Sequence, residues 1–294
     1  MSTVDVCLCT FRRPGVVDTL RSLAAQELPS GTAMRVVVAD NDDVPSARDR
    51  VLVAAEEGGL DIHYVHAPAR NISIARNACL DAVTAPLIAF IDDDEVAPPG
   101  WLAAMLAGME RSDAPIVLGP VQAQYGPGLP RWVAAADLHS TAPAVRTDGT
   151  IDTGYSCNVL LRAGIVQDAR FDLELGRTGG EDDVFFSRLF RKGHKIAFAP
   201  DARVMEAVPP ARAGLRWLAR RWFRNGQTYA AVRLAANDQP AGLALRASTK
   251  ALAYGAAALA QGWSPARWRR AVVRGALHAG VVSRVFGKRE LELY

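Results

Sequence analysis

With 294 residues, half of them hydrophobic, the chain can bury a sizeable core and has the length of one large domain or of a domain with an appended piece, which excludes a small disulfide-stapled scaffold. The formal net charge of +3 is too small to argue for nucleic acid. No apolar run reaches the roughly 20 uncharged residues of a membrane span, because Arg246 and Lys250 interrupt the best candidate.

Charge is unevenly distributed. Acids concentrate in the first two thirds, whereas arginines crowd the last third, as in RAGLRWLARRWFRNG and SPARWRRAVVRG. Four scattered cysteines, Cys7, Cys9, Cys79 and Cys157, read as reduced thiols, with Cys7 and Cys9 on one face of a strand. The opening MSTVDVCLCTF shows no basic stretch followed by an apolar core, so a cytoplasmic protein is expected.

Along the first 120 residues, VDVCLCT, MRVVVAD, IHYV, PLIAFI and PIVLGPV read as strands. Between them, GVVDTLRSLAAQ and SARDRVLVAAEE carry apolar residues at helical spacing. This alternation predicts a mostly parallel sheet covered by helices, with ligands beyond the carboxyl ends of the strands. Thr10, Asp40 and an acidic cluster all fall there.

That cluster, FIDDDEVAPPGW at 90–101, places four consecutive carboxylates directly after an apolar strand. Their mutual repulsion grows with partial burial, so something positive should offset it. Neither GxGxxG after the first strand nor GxxxxGK[ST] is present, so the usual backbone phosphate cradles are missing. Clustered carboxylates suit magnesium or manganese bridging to a diphosphate. The plain alternative is an exposed acidic loop before Pro98 and Pro99.

Further on, GGEDDVFF at 179–186 reads as a helix start whose acids suit the helix dipole, with Phe185 and Phe186 packing below; a catalytic role is compatible with that. His194, in RKGHKI, reads as a turn residue. The stretch with Trp217, Arg220, Arg221, Trp222 and Arg224 fits nucleic acid, a membrane interface or an ordinary amphipathic helix, the last being the plainest. Residues 238–294 read as two helices around a break at Gly262 to Pro265, suited to an anionic bilayer, to packing on the rest of the chain or to dimerisation.

Taken together, CTFRRP at 9–14, VVVADND at 36–42, ARN at 75–77, FIDDDE at 90–95 and GGEDDVFF resemble the inverting family 2 glycosyltransferases. The continuation GHKIAFAPDARVMEAVPPARAGLRWLARRWFRNG is similar to their bacterial exopolysaccharide branch, including succinoglycan-type glucosyltransferases. The resemblance covers roughly residues 1–230 and rests on five motifs in order. It implies an α/β GT-A nucleotide-diphospho-sugar transferase fold, a mostly parallel Rossmann-like sheet flanked by helices. This would occupy 1–237, with a nucleotide-sugar-binding half at 1–120 and an acceptor-binding half at 121–237, followed by a helical extension at 238–294.

Carried over by position, Asp40 would accept a hydrogen bond from uracil, and Thr10, Arg13, Arg76, Asp92 and Asp93 would line the nucleotide-sugar site. Asp92 and Asp94 would hold manganese or magnesium, with Glu206 standing where many members place a histidine. Asp182 would be the general base, with Glu181 beside it, and Asn158, in GYSCN, would face the acceptor. The implied reaction is metal-dependent, inverting transfer from a nucleotide-sugar, UDP-linked, to a glycan or polyprenyl-diphosphate-linked acceptor. One sugar would be moved, since LARRW lacks the Gln of the QxxRW element of processive members. From the pattern of residues 238–294, peripheral contact with an anionic membrane and pairing with a second copy of the chain stand as alternative further partners, and no nucleic acid is expected. The rivals are a nucleotidyltransferase, which would release pyrophosphate, and a noncatalytic sugar-nucleotide-binding protein, which would bind donor without turning it over.

Overall fold

The computed structural model describes residues 2–288 and 291. In chain order it contains β1 (Ser2–Thr10), α1 (Val16–Ala24), β2 (Thr32–Asp40), α2 (Arg48–Gly58), β3 (Ile62–His66), α3 (Ile72–Ala82), β4 (Leu87–Asp92), β5 (Glu95–Val96), α4 (Trp101–Ser112), β6 (Ile116–Leu118) and β7 (Val121–Gln124). There follow α5 (Arg131–Ala136), β8 (Asn158–Arg162), α6 (Glu181–Arg191), β9 (Ile196–Phe198), β10 (Val204–Ala207), α7 (Leu215–Ala235), α8 (Pro240–Ala260) and α9 (Pro265–Val285). These form two compact units, one of Met1–Gln122, Thr141–Arg177 and Val184–Glu206, the other of Ala123–Ser140, Thr178–Asp183 and Ala207–Tyr294. The last residues of the extension expected at 238–294 lie outside the described residues.

The first unit is built on a sheet of order β3-β2-β1-β4-β8-β6-β9. β1 pairs in parallel with β2 and β4, β2 with β3, and β6 with β9, while β8 runs antiparallel to both of its neighbours. Alternation along β1 explains why both faces are covered. Val4, Val6 and Leu8 enter one core with Leu20, Leu23, Trp101 and Met105, whereas Cys7 enters the other with Val37, Cys79, Phe90 and Phe171. Cys9 packs against the same face as Cys7, and all four cysteines are free thiols.

Helix boundaries follow local chemistry. Val16, Thr19, Leu20 and Leu23 give α1 a buried stripe at i, i+3, i+4 and i+7. Asn71 caps α3, its side chain accepting from the backbone N–H groups of Ser73 and Ile74. PIVLGPV, predicted as one strand, divides into β6 and β7. Pro120 has no N–H for the ladder, and a Cβ on Gly119 would stand 2.2 Å from the Ala202 carbonyl, so the chain leaves the large sheet at that point.

In the second unit α7 packs on α9 and α9 on α8. The crossing of α7 and α9 is closed by two glycines facing opposite backbones. A Cβ on Gly226 would lie 1.9 Å from the Leu277 carbonyl oxygen, and one on Gly280 would lie 1.9 Å from that of Phe223. Leu218 and Val273 fill one small core beside Ala136 and Leu138, and Ala230, Leu243, Ala247 and Val281 fill another.

Candidate active site

In the first unit the carboxyl ends of the parallel strands bring the predicted residues together. The register sets Thr10 opposite Asp40 and Cys9 opposite Asp92, so the tips of β1, β2 and β4 lie side by side. After β4 the backbone reverses through Asp92–Glu95, closed by the Asp92 N–H donating to the buried Glu95 carboxylate at 2.9 Å. β5 then pairs with β10, which places Glu206 directly across from Glu95.

Two arginines supply part of the positive charge that the acidic run requires. Arg13 is ion-paired with Asp93, at 3.3 Å, and with Asp94. Buried Arg76 has a guanidinium nitrogen 3.8 Å from Asp92 and lies 5.5 Å above the Phe171 ring, which in turn stacks on Phe185. Thr10 donates to Asp93 at 2.7 Å.

The balance remains negative. Burial, against the pull of Arg13 and Thr10 and with Asp94 and Asp92 adding to it, pushes the Asp93 carboxyl up to about 7. Burial and the nearby Asp92, Asp94 and Glu206 hold Glu95 well above the usual carboxylate range. A divalent cation fits such a donor set, since hard oxygen donors in excess of cations are what it binds. Among the described residues no group of three His, Cys, Asp or Glu is arranged to hold a metal. The fit is therefore to a cation held by one or two carboxylates together with diphosphate oxygens, the usual habit of magnesium.

Two of the predicted site residues have their side chains engaged by other parts of the chain. Asp40, expected to meet uracil, is fully buried, and its carboxylate accepts from the N–H of Asp42 at 3.1 Å, the N–H of Ala47 at 2.8 Å and the Tyr64 hydroxyl at 2.7 Å. It shapes the loop after β2. Asn158, expected to face the acceptor, is also fully buried. Its side chain accepts from the Trp101 indole at 2.9 Å and donates to the carbonyls of Pro120 and Ala202 at 3.0 and 2.8 Å. It is a strut joining α4, β8 and the turn before β7. Asn158→Leu is expected to cost at least about 3 kcal/mol, because an indole N–H and two carbonyls lose their partner at once. Denaturant unfolding measures it, and a midpoint equal to that of the parent would refute the strut.

Several residues around these loops were not predicted. Arg12, in the left-handed region at φ 56°, donates to Asp42 at 2.8 Å, and Arg70, at φ 48°, pairs with Asp43. Non-glycine residues held there are strained, and such strain gathers at functional loops. In the sequence the signal was present in CTFRRP but was read only for Arg13.

In the second unit Glu181, Asp182 and Asp183 form the first turn of α6, so the helix-start reading of GGEDD holds. Glu181 is buried and Asp182 half-buried, with one Asp182 oxygen accepting from the Asp183 N–H at 2.8 Å. The preceding turn is unusual: Gly179 and Gly180 both have φ 86°, and a Cβ on Gly180 would meet Thr228 at 2.4 Å. Arg224 on α7 grips this turn. Its guanidinium donates to the carbonyls of Thr178 at 2.8 Å and Gly179 at 2.6 Å and to the Thr228 hydroxyl at 2.5 Å, and the residue is 3% exposed. Trp217 stacks on His139, and the Trp222 indole donates to the Leu138 carbonyl, so the aromatic side of α7 packs inward as in an ordinary amphipathic helix.

Comparison with known proteins agrees with this architecture. The chain is 47% identical to the succinoglycan biosynthesis protein ExoM of Rhizobium meliloti (strain 1021), over 99% of this chain and 95% of that protein. It is 22% identical to a glucosyl-dolichyl phosphate glucuronosyltransferase of Haloferax volcanii over 76% of this chain and 75% of the relative. Among solved structures, the mannosyltransferase PcManGT from Pyrobaculum calidifontis, in complex with GDP-Man and Mn2+, superposes with a TM-score of 0.64 at 20% identity, covering 97% of this chain and 88% of that one. S. aureus TarS 1–349, in complex with UDP-GlcNAc, gives a TM-score of 0.56 at 15% identity, covering 98% and 93%. The GT-A fold expected from the motifs is thus the fold of the chain. Since the profile of Glycosyl transferase family 2 matches residues 5–169, more than half the sequence, the chain belongs to that family and is a glycosyltransferase.

Proposed function

We propose that the chain transfers one sugar, with inversion, from a UDP-sugar to a glycan acceptor, free or carried on a polyprenyl diphosphate, in exopolysaccharide synthesis. The observation that carries the donor part of this reading is the carboxylate excess at the strand tips, which burial and mutual repulsion leave only partly answered by Arg13 and Arg76. The acceptor part is supported by the 47% identity to a succinoglycan biosynthesis protein. GDP-Man and UDP-GlcNAc in the structural neighbours support a nucleoside diphosphate leaving group.

Asp92 and Asp94 would hold magnesium or manganese, with Glu206 beside them. When bound, the cation neutralises charge developing on the leaving diphosphate. Arg13, already paired with Asp93 and Asp94, is positioned to exchange carboxylate for phosphate oxygens, to which a guanidinium binds at least as well. Thr10 and Asp93 hold that end of β1 against the acidic turn. Asp182 takes the proton of the attacking hydroxyl as the new bond forms, and Glu181 anchors the same helical turn.

UDP should therefore raise the melting temperature only when manganese or magnesium is present, by mass action on the native state. Asp94→Ala is expected to abolish that dependence while leaving the melting temperature without ligand little changed. Equal stabilisation by UDP in chelator and in manganese would overturn the metal assignment. Incubation with donor and acceptor separates the rivals, because a nucleotidyltransferase releases pyrophosphate and a noncatalytic binder releases nothing, whereas the proposed reaction releases UDP.

A further inference from the structure

Among the described residues no helix is long and apolar enough to cross a membrane, yet α8 carries a row of exposed leucines that nothing in its unit covers. Leu245, Leu252 and Leu259 recur at seven-residue intervals and are 67%, 76% and 87% exposed; Trp263, just past the helix, is 74% exposed. At about 100° per residue the three leucines fall within roughly 40° of one another. Leu243 and Ala247, the buried residues of α8, lie on the opposite side, facing the small core with Ala230 and Val281. The inward face is therefore already satisfied, and the leucine stripe is a second apolar surface.

The charge around the stripe selects its occupant. From Pro240 to Val285, α8 and α9 contain no aspartate or glutamate and seven arginines and lysines. Arg246 is exposed about 100° round the helix from Leu245, and Arg267 lies 5.4 Å over the Trp263 ring. Pairing α8 with a second copy would bring like charges together with no acid to answer them, whereas an anionic bilayer offers both hydrocarbon and negative headgroups. Tryptophan beside arginine is also suited to the headgroup level.

We propose that α8 lies in the plane of an anionic membrane surface, inserting Leu245, Leu252, Leu259 and Trp263 while Arg246 and Arg267 meet lipid headgroups. This differs from the location suggested by the Trp/Arg composition of α7, whose tryptophans are packed within their own unit. The inference is independent of which sugar is transferred.

The test is cosedimentation of the full chain with vesicles of phosphatidylglycerol and phosphatidylcholine in equal parts, against phosphatidylcholine alone. Binding is expected to the anionic vesicles at low salt and to weaken as salt rises. The double variant Leu252→Glu, Leu259→Glu should lower the partition coefficient about tenfold or more, since each leucine leaves the hydrocarbon. Its melting temperature, and its stabilisation by UDP with manganese, should match the parent, which separates loss of this surface from loss of the donor site. Retention in the supernatant at low salt, or undiminished binding by the variant, would overturn the proposal. So would a lipid-free dimer in sedimentation velocity that the double variant splits, because the stripe would then be a self-interface.

Discussion

Asp182→Asn is expected to lower turnover by on the order of 10²-fold or more while the affinity for UDP and metal stays nearly unchanged. The substitution is a narrow probe. The asparagine carbonyl can still accept from the Asp183 N–H, as the carboxylate does at 2.8 Å, so the first turn of α6 keeps its geometry. Loss of one negative charge at a helix N-terminus costs only about 0.3–1 kcal/mol of stability. What disappears is basicity, and a base that acts only as the acceptor bond forms affects kcat far more than donor binding. Single-turnover transfer and UDP titration, run in parallel, separate the two. Near-normal transfer by Asp182→Asn, with loss in Glu181→Gln or Asp183→Asn, would move the role to a neighbouring carboxylate.

The second large effect is expected at Arg224. Arg224→Ala removes one buried guanidinium and leaves the Thr178 and Gly179 carbonyls and the Thr228 hydroxyl to find other partners. At about 1–3 kcal/mol for each buried polar group left unsatisfied, the loss is on the order of 4 kcal/mol, or about 10 °C in melting temperature. Arg224→Lys should recover little, since an ammonium cannot reproduce the planar fork that serves two successive carbonyls and a hydroxyl. The turn it holds has two consecutive glycines in the left-handed region, so its intrinsic preference for one shape is weak and the guanidinium supplies the order. A melting temperature of Arg224→Ala within a degree of the parent would contradict this account.

These residues show what could be read in advance. The acidic run at 92–95 was legible because an apolar strand feeds it, and strand periodicity alone places such residues at the carboxyl edge of a parallel sheet. GGEDD was legible as a helix start for the same local reason. The burial of Asp40 was not legible because it depends on Tyr64 from β3 and on a loop that folds back through Ala47, neither of which leaves a mark near VVVAD. The bracing role of Asn158 was not legible because its partner Trp101 lies 57 residues away. Arg224 looked like any arginine on an amphipathic helix, its partners being 45 and 46 residues upstream. The division of PIVLGPV is local, and its glycine and proline carried the warning. Periodicity reports which face is apolar, but it does not report which distant backbone group will be waiting for a polar side chain.

The crossing of α7 and α9 through Gly226 and Gly280 bears on how the protein is made. Arg224 sits one residue after Phe223, whose carbonyl is pressed against Gly280, so the turn before α6 is held by a helix whose own seat is α9. During synthesis the segment at 178–183 and α7 leave the ribosome well before α9 does. Until then α7 lacks the surface against which its backbone packs, and the glycine turn lacks a fixed clamp. The second unit must therefore mature late and as a piece, and grafting its early segments onto another glycosyltransferase without α9 would transfer the acidic motif but not its holder.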